Sequence, residues 1–283
     1  MAALPRLGHR PVHQRGTDAL PGAPEGKGYD PKRGAQAVAW AADFLDGAVP
    51  LSGASHADVT AYRRDGAALV AEARGKTVPL ADPAAFVGYA EDGDNASYML
   101  RHNGLHIELV IDPTHPVGAA SASGLRDVVL ESALTAIQDC EDSVAAVDAA
   151  DKAEVYANWL GLMTGDLTET FEKGGRQMTR ALNPDKVLTA PDGSTLTLPG
   201  RALLLVRNVG HLMTTDAVLF EGEETPEGML DALITVAAAM HDLKKTTGPR
   251  NSRAGSVYVV KPKMHGPEEV AFADRMYAAV EAI

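Results

Sequence analysis

Charged side chains follow three apolar segments of the sequence, each at the point where the apolar run ends. The clearest case is the run LLLV, which leads directly into Arg207 and Asn208. A charge that is taken out of water without a partner costs several kcal/mol. We therefore expect Arg207 to face an anionic or polarisable target. The other two clusters are the DCED segment that begins at Asp139, and the pair Lys261 and Lys263.

Asp139 and Glu141 are two residues apart, so on an extended chain both side chains point the same way. Such a pair can hold a divalent metal through water, accept protons or orient an arginine. Two simpler interpretations stay open at this point. The DCEDS segment could cap the helix that follows it, and Arg207 could form an internal salt bridge to Asp139 or Glu141.

The elements around these clusters are typical of parallel βα units. Buried strands alternate with helices of moderate length in the second half of the chain. Pro226 and Pro267 each open a predicted helix. The first of these helices has a predicted apolar face made of Met229, Leu230, Leu233, Ile234, Ala237 and Met240. Because the carboxyl ends of parallel strands lie on one face of a sheet or barrel, the three charged clusters are expected to converge there.

The first part of the chain predicts a small mixed α/β module. Asp30 and Pro31 start a helix that runs to about Leu45. Strands are predicted at ALVAEA, at Phe86 to Tyr89 and at Leu105 to Asp112.

The character of the sequence changes near Ser123. Apolar or small residues recur there at helical spacing, namely Leu125, Val128, Val129, Ser132, Ala133, Ala136 and Ile137. A further helix is predicted from about Asp148 to Met163, and a hairpin turns at Pro191, Asp192 and Gly193.

Composition excludes several classes of protein. A formal net charge of -12 argues against a nucleic-acid partner. No apolar run approaches the roughly 20 residues of a membrane span, and the basic start of the chain lacks an apolar signal core, so we expect a cytoplasmic protein.

The cysteine, histidine and glycine patterns do not predict a second functional site. The single Cys140 allows no intrachain disulfide or cysteine zinc site, and its carboxylate neighbours should raise its pKa. His102 and His106 are separated by Asn103 and Gly104, which argues against a helical metal pair. His211 and His265 follow strand ends and are expected to be structural. No glycine-rich phosphate motif of the Walker or dinucleotide type is found.

Several long segments resemble malate synthase of the G isoform, in the order in which that family has them. They are DCEDSVAAVDAADK, NWLGLMTGDL, TRALNPD, LTLPGRALLLVRNVGHLMTTDAV and GSVYVVKPKMHGPEEVAFA. The resemblance covers about Gly16 to Ile283.

The resemblance implies an α/β fold, a partial (β/α)8 barrel with an inserted α/β domain. The implied organisation is an unmatched leader at 1–15, the inserted domain at 16–122 and a barrel segment at 123–164. A return excursion into the inserted domain, with the hairpin, follows at 165–202, and a second barrel segment at 203–283.

The family chemistry implied is a Mg²⁺-dependent condensation of glyoxylate with acetyl-CoA and water to malate and CoA, an acyl transfer of the glyoxylate bypass and tricarboxylic acid cycle. Arg207 matches the arginine that binds glyoxylate and stabilises negative charge on its aldehyde oxygen. Ser143 and Arg180 match residues that contact acetyl-CoA. Asp139 and Glu141 match carboxylates near the water shell of the metal. The resemblance implies no role for Lys261 or Lys263.

The sequence also departs from the family. It is less than half as long, and the family's metal ligands and catalytic aspartate would fall beyond Ile283. We therefore expect no metal ligand and no turnover from this span alone, and uncovered strand edges that favour association, although full-length members are typically monomeric. Two alternatives remain, a non-catalytic remnant that binds CoA and a CoA-ester lyase of the citrate lyase β-subunit type.

Overall fold

The computed structural model describes residues 30–131 and 133–283, and these form two compact units. We call residues 30–131 and 186–198 the antiparallel unit, and residues 133–185 and 199–283 the parallel unit. The predicted leader at 1–15 and the start of the predicted inserted domain lie outside the described residues.

The antiparallel unit contains a three-stranded sheet and a six-stranded sheet. The helices are α1 (Pro31–Ala48) and α2 (Pro116–Ala120), and the strands are β1 (Val59–Asp65), β2 (Ala68–Ala73), β3 (Lys76–Pro79), β4 (Phe86–Asp92), β5 (Asn95–His102), β6 (Leu105–Ile111), β7 (Leu125–Leu130), β11 (Lys186–Thr189) and β12 (Thr195–Leu198). Strand order is β1-β2-β3 in the first sheet and β12-β11-β4-β5-β6-β7 in the second, and every neighbouring pair is antiparallel.

The predicted first helix and the predicted strands of this unit are confirmed. Asp30 caps α1 by accepting a hydrogen bond from the Arg33 amide at 2.9 Å, and Pro31 occupies the first turn, where its missing N–H costs nothing. The unit is held by one apolar cluster in which Leu45, Leu100 and Leu109 are completely buried.

The helical spacing from Leu125 to Ile137 was misleading, because the structure has two strands there. Residues Leu125–Leu130 form β7, which pairs with β6, and Thr135–Asp139 form β8 in the other unit. Ser132, which shared the predicted helical face, lies outside the described residues. The β-branched Val128 and Val129 suit a strand, and pairing with β6 decides the outcome. The unit boundary therefore falls near residue 132, whereas the sequence placed it between 122 and 123.

The parallel unit is built on three parallel strands in the order β16-β13-β8. Its helices are α3 (Ala149–Thr164), α4 (Glu227–Leu243) and α5 (Pro267–Glu281), and its strands are β8 (Thr135–Asp139), β9 (Thr168–Lys173), β10 (Arg176–Ala181), β13 (Leu203–Arg207), β14 (Thr214–Phe220), β15 (Glu223–Pro226) and β16 (Val259–Val260). The strands β8, β13 and β16 alternate with helices along the chain, which confirms the predicted parallel βα arrangement. Strands β9 with β10 and β14 with β15 form two antiparallel hairpins.

Helix α4 does not bury the face that its apolar spacing predicted. Met229 and Leu233 are 44% and 39% exposed, and Ala237 is exposed as well. The buried face consists of small and polar side chains: Gly228, Asp231, Ala232, Thr235, Ala238, Ala239 and Asp242. Asp231 and Asp242 on this face accept hydrogen bonds from the amides of Val209, Asn251 and Ser252, partners that local periodicity does not reveal.

The predicted excursion at 165–202 is divided between the units. The hairpin of β11 and β12 turns at the predicted residues and belongs to the antiparallel unit, where β11 pairs with β4. Residues 165–185, including β9 and β10, belong to the parallel unit.

Within the described part of the chain, no helix combines the length and the apolar character needed to cross a membrane.

Candidate functional site

The candidate site lies in the parallel unit, at the carboxyl ends of its three parallel strands. Arg207 ends β13 and stands opposite Asp139 of β8 and Val260 of β16 in the strand register. The three charged clusters of the sequence are therefore brought to one edge of the sheet, as predicted.

The Arg207 guanidinium contacts three carboxylates. Nη1 donates to Asp139 at 3.4 Å, and Nη2 donates to Glu141 at 3.0 Å and to Asp142 at 2.9 Å. This confirms the alternative of an internal salt bridge. The side chain remains 22% exposed, and among the described residues no acceptor meets Nε–H or the second Nη1 proton. The guanidinium therefore keeps donors for a ligand.

Asp139 organises the loop after β8. Its Oδ1 accepts from the Glu141 amide at 2.9 Å, and its Oδ2 accepts from the amide and the hydroxyl of Ser143 at 3.1 and 2.9 Å. The interpretation that DCEDS caps the next helix is wrong, because the cap of α3 is Asp148, which accepts from Asp151 N at 2.9 Å. Asp139 and Glu141 instead turn the loop so that its carboxylates face Arg207.

Lys263 completes the cluster from the loop after β16. Its ammonium lies 3.0 Å from both Glu141 and Asp142. The hydrogen bond from Lys263 holds the pKa of Asp142 below its ordinary value, and Arg207 adds to this effect. Burial lowers the pKa of Arg207, but the hydrogen bond to Asp142 and the three negative charges outweigh it, so the pKa is raised. Three carboxylates and two cationic side chains give the cluster a formal charge of about -1. An anionic ligand would make the local charge more negative, so a bound cation beside that ligand would be favourable.

The carboxylates do not form a metal-ligand set by themselves. Their oxygens already accept from Arg207, Lys263 and backbone amides, with Gly210 N donating to Glu141 at 3.3 Å. No group of three or more histidine, cysteine, aspartate or glutamate side chains in the described ranges could hold a metal ion. The placement of Asp139 and Glu141 near metal-bound water therefore stays a prediction.

Cys140 is buried beside this cluster and is not available as a nucleophile. Burial raises the pKa of its thiol to about 12, and the negative charge of Asp231 adds to the shift. The predicted direction is confirmed, but burial is a larger cause than the adjacent carboxylates on which the prediction rested.

The acetyl-CoA candidates lie in two places. Ser143 belongs to the carboxylate loop and is exposed. Arg180 lies on the β9–β10 hairpin, where its guanidinium carbon stands 4.7 Å from the centre of the Phe171 ring and Nη1 lies 3.8 Å from Glu169. Its buried Nε has no acceptor among the described residues. The structure gives Arg180 no direct contact with the Arg207 cluster in the described ranges.

The residues without an assigned role also take definite places. The Lys261 ammonium donates to the Val209 carbonyl at 2.6 Å, and burial lowers its pKa. His211 contacts the Glu269 carbonyl at 3.2 Å and packs edge-on against Phe272, which fits the structural role expected of it. His265 is exposed, and its amide donates to Glu269 at 2.6 Å.

Sequence reasoning missed a buried charged network behind the strand ends. It consists of Lys152, Tyr156, Glu227 and Asp231. Lys152 lies three residues before Val155 and seven before Trp159, on the same buried face of α3. A lysine at core spacing in an amphipathic helix is the signal that could have revealed it.

Two family descriptions match the chain. The malate synthase G alpha-beta insertion domain matches residues 29–103, and the malate synthase TIM barrel domain matches residues 203–283. The second match contains Arg207, Lys261 and Lys263. Together they confirm the predicted fold class, an α/β insertion with part of a (β/α)8 barrel.

Individual proteins similar to this chain agree with the family descriptions. Malate synthase G of Corynebacterium efficiens is 52% identical over 94% of this chain and 36% of its own length. The protein of the same name from Halalkalibacterium halodurans is 52% identical over 90% of this chain and 36% of its own length. That of Corynebacterium glutamicum is 49% identical over 94% of this chain and 36% of its own length. The chain thus spans 36% of the length of each of these relatives.

Proposed function

The chain belongs to the malate synthase G family, and from this premise we propose that its parallel unit supplies the glyoxylate-binding arginine of a malate synthase site. The whole reaction would condense glyoxylate with acetyl-CoA and water to give malate and CoA, as a step of the glyoxylate bypass in the cytoplasm. One observation carries the proposal. Arg207 is held at the end of β13 by three carboxylates, and its Nε–H and second Nη1 proton meet no acceptor in the described ranges.

Arg207 would act by binding and by electrostatics. Its unused N–H groups would donate to glyoxylate and stabilise the negative charge that develops on the aldehyde oxygen. Asp139, Glu141 and Asp142 fix the guanidinium in advance, so little reorganisation is needed when charge develops. Lysine at this position would retain the charge and lose the planar fork.

A divalent cation, Mg²⁺ in the proposed reaction, would polarise the aldehyde. The net negative charge of the cluster supports the presence of a cation beside the anionic substrate. The described carboxylates are engaged with donors, so Asp139 and Glu141 are proposed only as neighbours of metal-bound water. We derive no step through the metal from these residues.

Acetyl-CoA would be contacted by Ser143 and Arg180. An arginine suits the anionic phosphates of CoA, and the side chain of Arg180 is 38% exposed. The three relatives named above favour malate synthase over the lyase alternative, since all of them carry the malate synthase G name. We propose no nucleic-acid or membrane partner, and a monomeric state for full-length members of the family.

Calorimetric titration of the 283-residue chain with glyoxylate, with and without Mg²⁺, tests the proposal. We expect glyoxylate binding that Mg²⁺ does not change, because the metal ligands implied by the family resemblance are not expected in this span. We also expect Arg207→Lys to weaken it by about tenfold or more, because hydrogen bonds to charged groups contribute roughly 1.5–3 kcal/mol. Arg275→Lys is the matched control, because Arg275 stands 5.9 Å from the Phe272 ring on α5 and takes no part in the site. Equal loss in both variants, or no glyoxylate binding at all, would overturn the assignment of Arg207.

Acetyl-CoA binding separates the two subsites. Arg207→Lys should leave it nearly intact, whereas Arg180→Ala should weaken acetyl-CoA binding more than glyoxylate binding. The opposite ranking would remove Arg180 from the proposed site. Free-thiol release from acetyl-CoA in the presence of glyoxylate and Mg²⁺ then measures whether this span turns over. Acetyl-CoA binding without glyoxylate binding would instead favour the CoA-binding remnant.

A further inference from the structure

A buried ion pair joins helices α3 and α4 directly behind the Arg207 site. Lys152 and Asp231 lie 2.8 Å apart, and their side chains are only 3% and 0% exposed. Tyr156 donates its hydroxyl to Asp231 at 2.6 Å, and Lys152 also contacts Glu227. Burying such charges is costly, and apolar side chains of similar volume often stabilise a fold as well or better. Stability alone therefore does not explain the pair.

The network is bonded to the backbone at two of the three strand ends, those of β13 and β8. Asp231 Oδ2 accepts from the Val209 amide at 2.8 Å, two residues after Arg207. Lys152 donates to the Cys140 carbonyl at 3.2 Å, one residue after Asp139. Lys261, which follows β16, donates to the Val209 carbonyl. Both backbone groups of Val209 are thus held by charged side chains.

The first turn of α4 lies close to this backbone at Gly228. A Cβ on Gly228 would lie 2.5 Å from the Lys261 ammonium and 3.2 Å from the Gly210 carbonyl. The glycine allows α4 to place the Asp231 carboxylate at the Val209 amide. At the same time the Lys261 ammonium, from the segment after β16, contacts the Val209 carbonyl. Helix, strand ends and charged groups therefore form one tightly packed arrangement.

We propose that Asp231 is a positioning residue for Arg207, acting through the Val209 amide and fixed in turn by Lys152 and Tyr156. The carboxylate sets the path of the backbone that leaves β13. The direction in which the Arg207 guanidinium points toward Asp139, Glu141 and Asp142 depends on that path. The consequence for glyoxylate rests on the proposed function, whereas the geometric claim about Arg207 does not.

The direct test is an NMR measurement on the 283-residue chain with ¹⁵N-labelled arginine. The Nε–Hε signal of Arg207 is assigned by its loss in Arg207→Lys. In Asp231→Asn, which keeps the shape of the side chain and removes its charge, we expect this signal to shift or broaden. The signals of Arg63 and Arg64, in the antiparallel unit, should not move.

Asp242→Asn is the matched control. Asp242 lies on the same helix, is 1% exposed, and also accepts from backbone amides, those of Asn251 and Ser252, both at 2.8 Å. It should cost stability in a similar way while leaving the Arg207 signal in place. An unchanged Arg207 signal in Asp231→Asn, or equal shifts in both variants, would overturn the proposal.

A milder variant covers the case in which Asp231→Asn does not fold. Tyr156→Phe removes one donor to Asp231 and leaves its charge paired with Lys152. It should shift the Arg207 signal in the same direction by a smaller amount, and no shift in this variant would then count against the proposal.

Calorimetry links the positioning role to function. Asp231→Asn should weaken glyoxylate binding by about tenfold or more, since a misplacement of about 1 Å far from the chemistry can cost two orders of magnitude in rate. Asp242→Asn should bind glyoxylate as the unmodified chain does. If the unmodified chain does not bind glyoxylate but the Arg207 signal responds to Asp231→Asn, the proposed function fails and the positioning role stands. If glyoxylate binds equally well to Asp231→Asn, the positioning role fails alone.

Discussion

The two units of the chain are stabilised by different kinds of buried interaction. The antiparallel unit has a continuous core of aliphatic and aromatic side chains between its sheets and α1. The parallel unit has a smaller apolar cluster and buries Lys152, Asp231 and Asp242 as well. The difference indicates that the parallel unit gives up apolar burial in order to fix the backbone at its strand ends, where the candidate site lies.

The two tryptophans of the sequence make this comparison measurable. Trp40 is on α1 in the antiparallel unit, and Trp159 is on α3 in the parallel unit. Trp159 is buried and donates to the Thr235 carbonyl at 2.9 Å, whereas Trp40 is about half exposed. In a Trp40→Phe background, fluorescence therefore reports on unfolding of the parallel unit alone.

The largest expected effect is that of Lys152→Met. It removes one partner of a buried pair and leaves Asp231 and Glu227 without their cation, which typically costs about 3–5 kcal/mol. Burial alone would lower the pKa of Lys152, but the two carboxylates raise it, so the charge is present at neutral pH. Urea unfolding followed by Trp159 fluorescence in the Trp40→Phe background measures the loss.

Arg63→Met is the comparison variant, because Arg63 forms an exposed pair with Glu72 in the antiparallel unit. It should change stability far less, since exposed pairs are screened by water. A cost below about 1 kcal/mol for Lys152→Met would mean that the Lys152 pair behaves like a surface pair, and the contrast between the units would be wrong.

Leu109→Ala should give the next largest effect, now in the antiparallel unit. Leu109 is 0% exposed on β6, and truncating a buried leucine costs about 2–5 kcal/mol through lost burial and the cavity left behind. Urea unfolding followed by Trp40 fluorescence in a Trp159→Phe background measures it, and the Trp159 transition in the Trp40→Phe background should stay in place. Leu105→Ala, at the exposed start of the same strand, is the control. A Trp159 transition that moves together with Leu109→Ala would show that the units unfold as one.

The elements that the sequence predicted correctly are those whose signals are local. Asp30 with Pro31 marks the start of α1, Asp148 marks the start of α3, and the turn at Pro191 to Gly193 marks the β11–β12 hairpin. The convergence of Arg207 with Asp139 and Glu141 also followed from the sequence, because parallel strands place their carboxyl ends together.

The errors came from partners that are distant in the sequence. The apolar residues from Leu125 to Ile137 have helical spacing by coincidence. They belong to two strands that lie in different units. The buried face of α4 was misassigned because Asp231 and Asp242 find partners at Val209 and Asn251, which a periodicity of local hydrophobicity does not contain. The convergence of charged side chains at the strand ends was therefore predictable from the sequence. The buried charged network behind them was not.

Cap removal should give a smaller and symmetrical effect. Asp30→Ala and Asp148→Ala each delete a side chain that accepts from the first turn of its helix at 2.9 Å, which costs about 1 kcal/mol. Asp148→Ala should lower only the transition seen by Trp159 in the Trp40→Phe background, and Asp30→Ala only the one seen by Trp40 in a Trp159→Phe background. Asp30→Ser and Asp148→Ser, which keep an acceptor, should recover most of the loss. If either alanine variant moved both transitions equally, the two units could not be treated separately.

The smallest expected effect is a pH dependence confined to the antiparallel unit. His56 is buried, its ring nitrogens contact the Tyr62 hydroxyl at 2.8 Å and the Val49 carbonyl at 2.9 Å, and burial holds its pKa below the ordinary value of 6.5. The hydrogen bond to Val49 and the charge of Asp46 oppose this shift but do not cancel it. Below pH 6.5 the unfolded chain takes up a proton that the folded chain still excludes, so stability falls as the pH decreases toward the folded-state pKa.

Urea midpoints measured between pH 7.5 and about 5.5 check this sign, with Trp40 in a Trp159→Phe background reporting on the antiparallel unit and Trp159 in the Trp40→Phe background on the parallel unit. His56→Gln cannot titrate, and it should flatten the decline of the antiparallel unit while lowering its stability at pH 7.5 through the loss of the bond to Tyr62 or to Val49. A decline that survives in His56→Gln would assign the pH dependence to other groups. Stability that rises as the pH falls would mean that Asp46 outweighs burial, and His56 would then stabilise the fold as a cation.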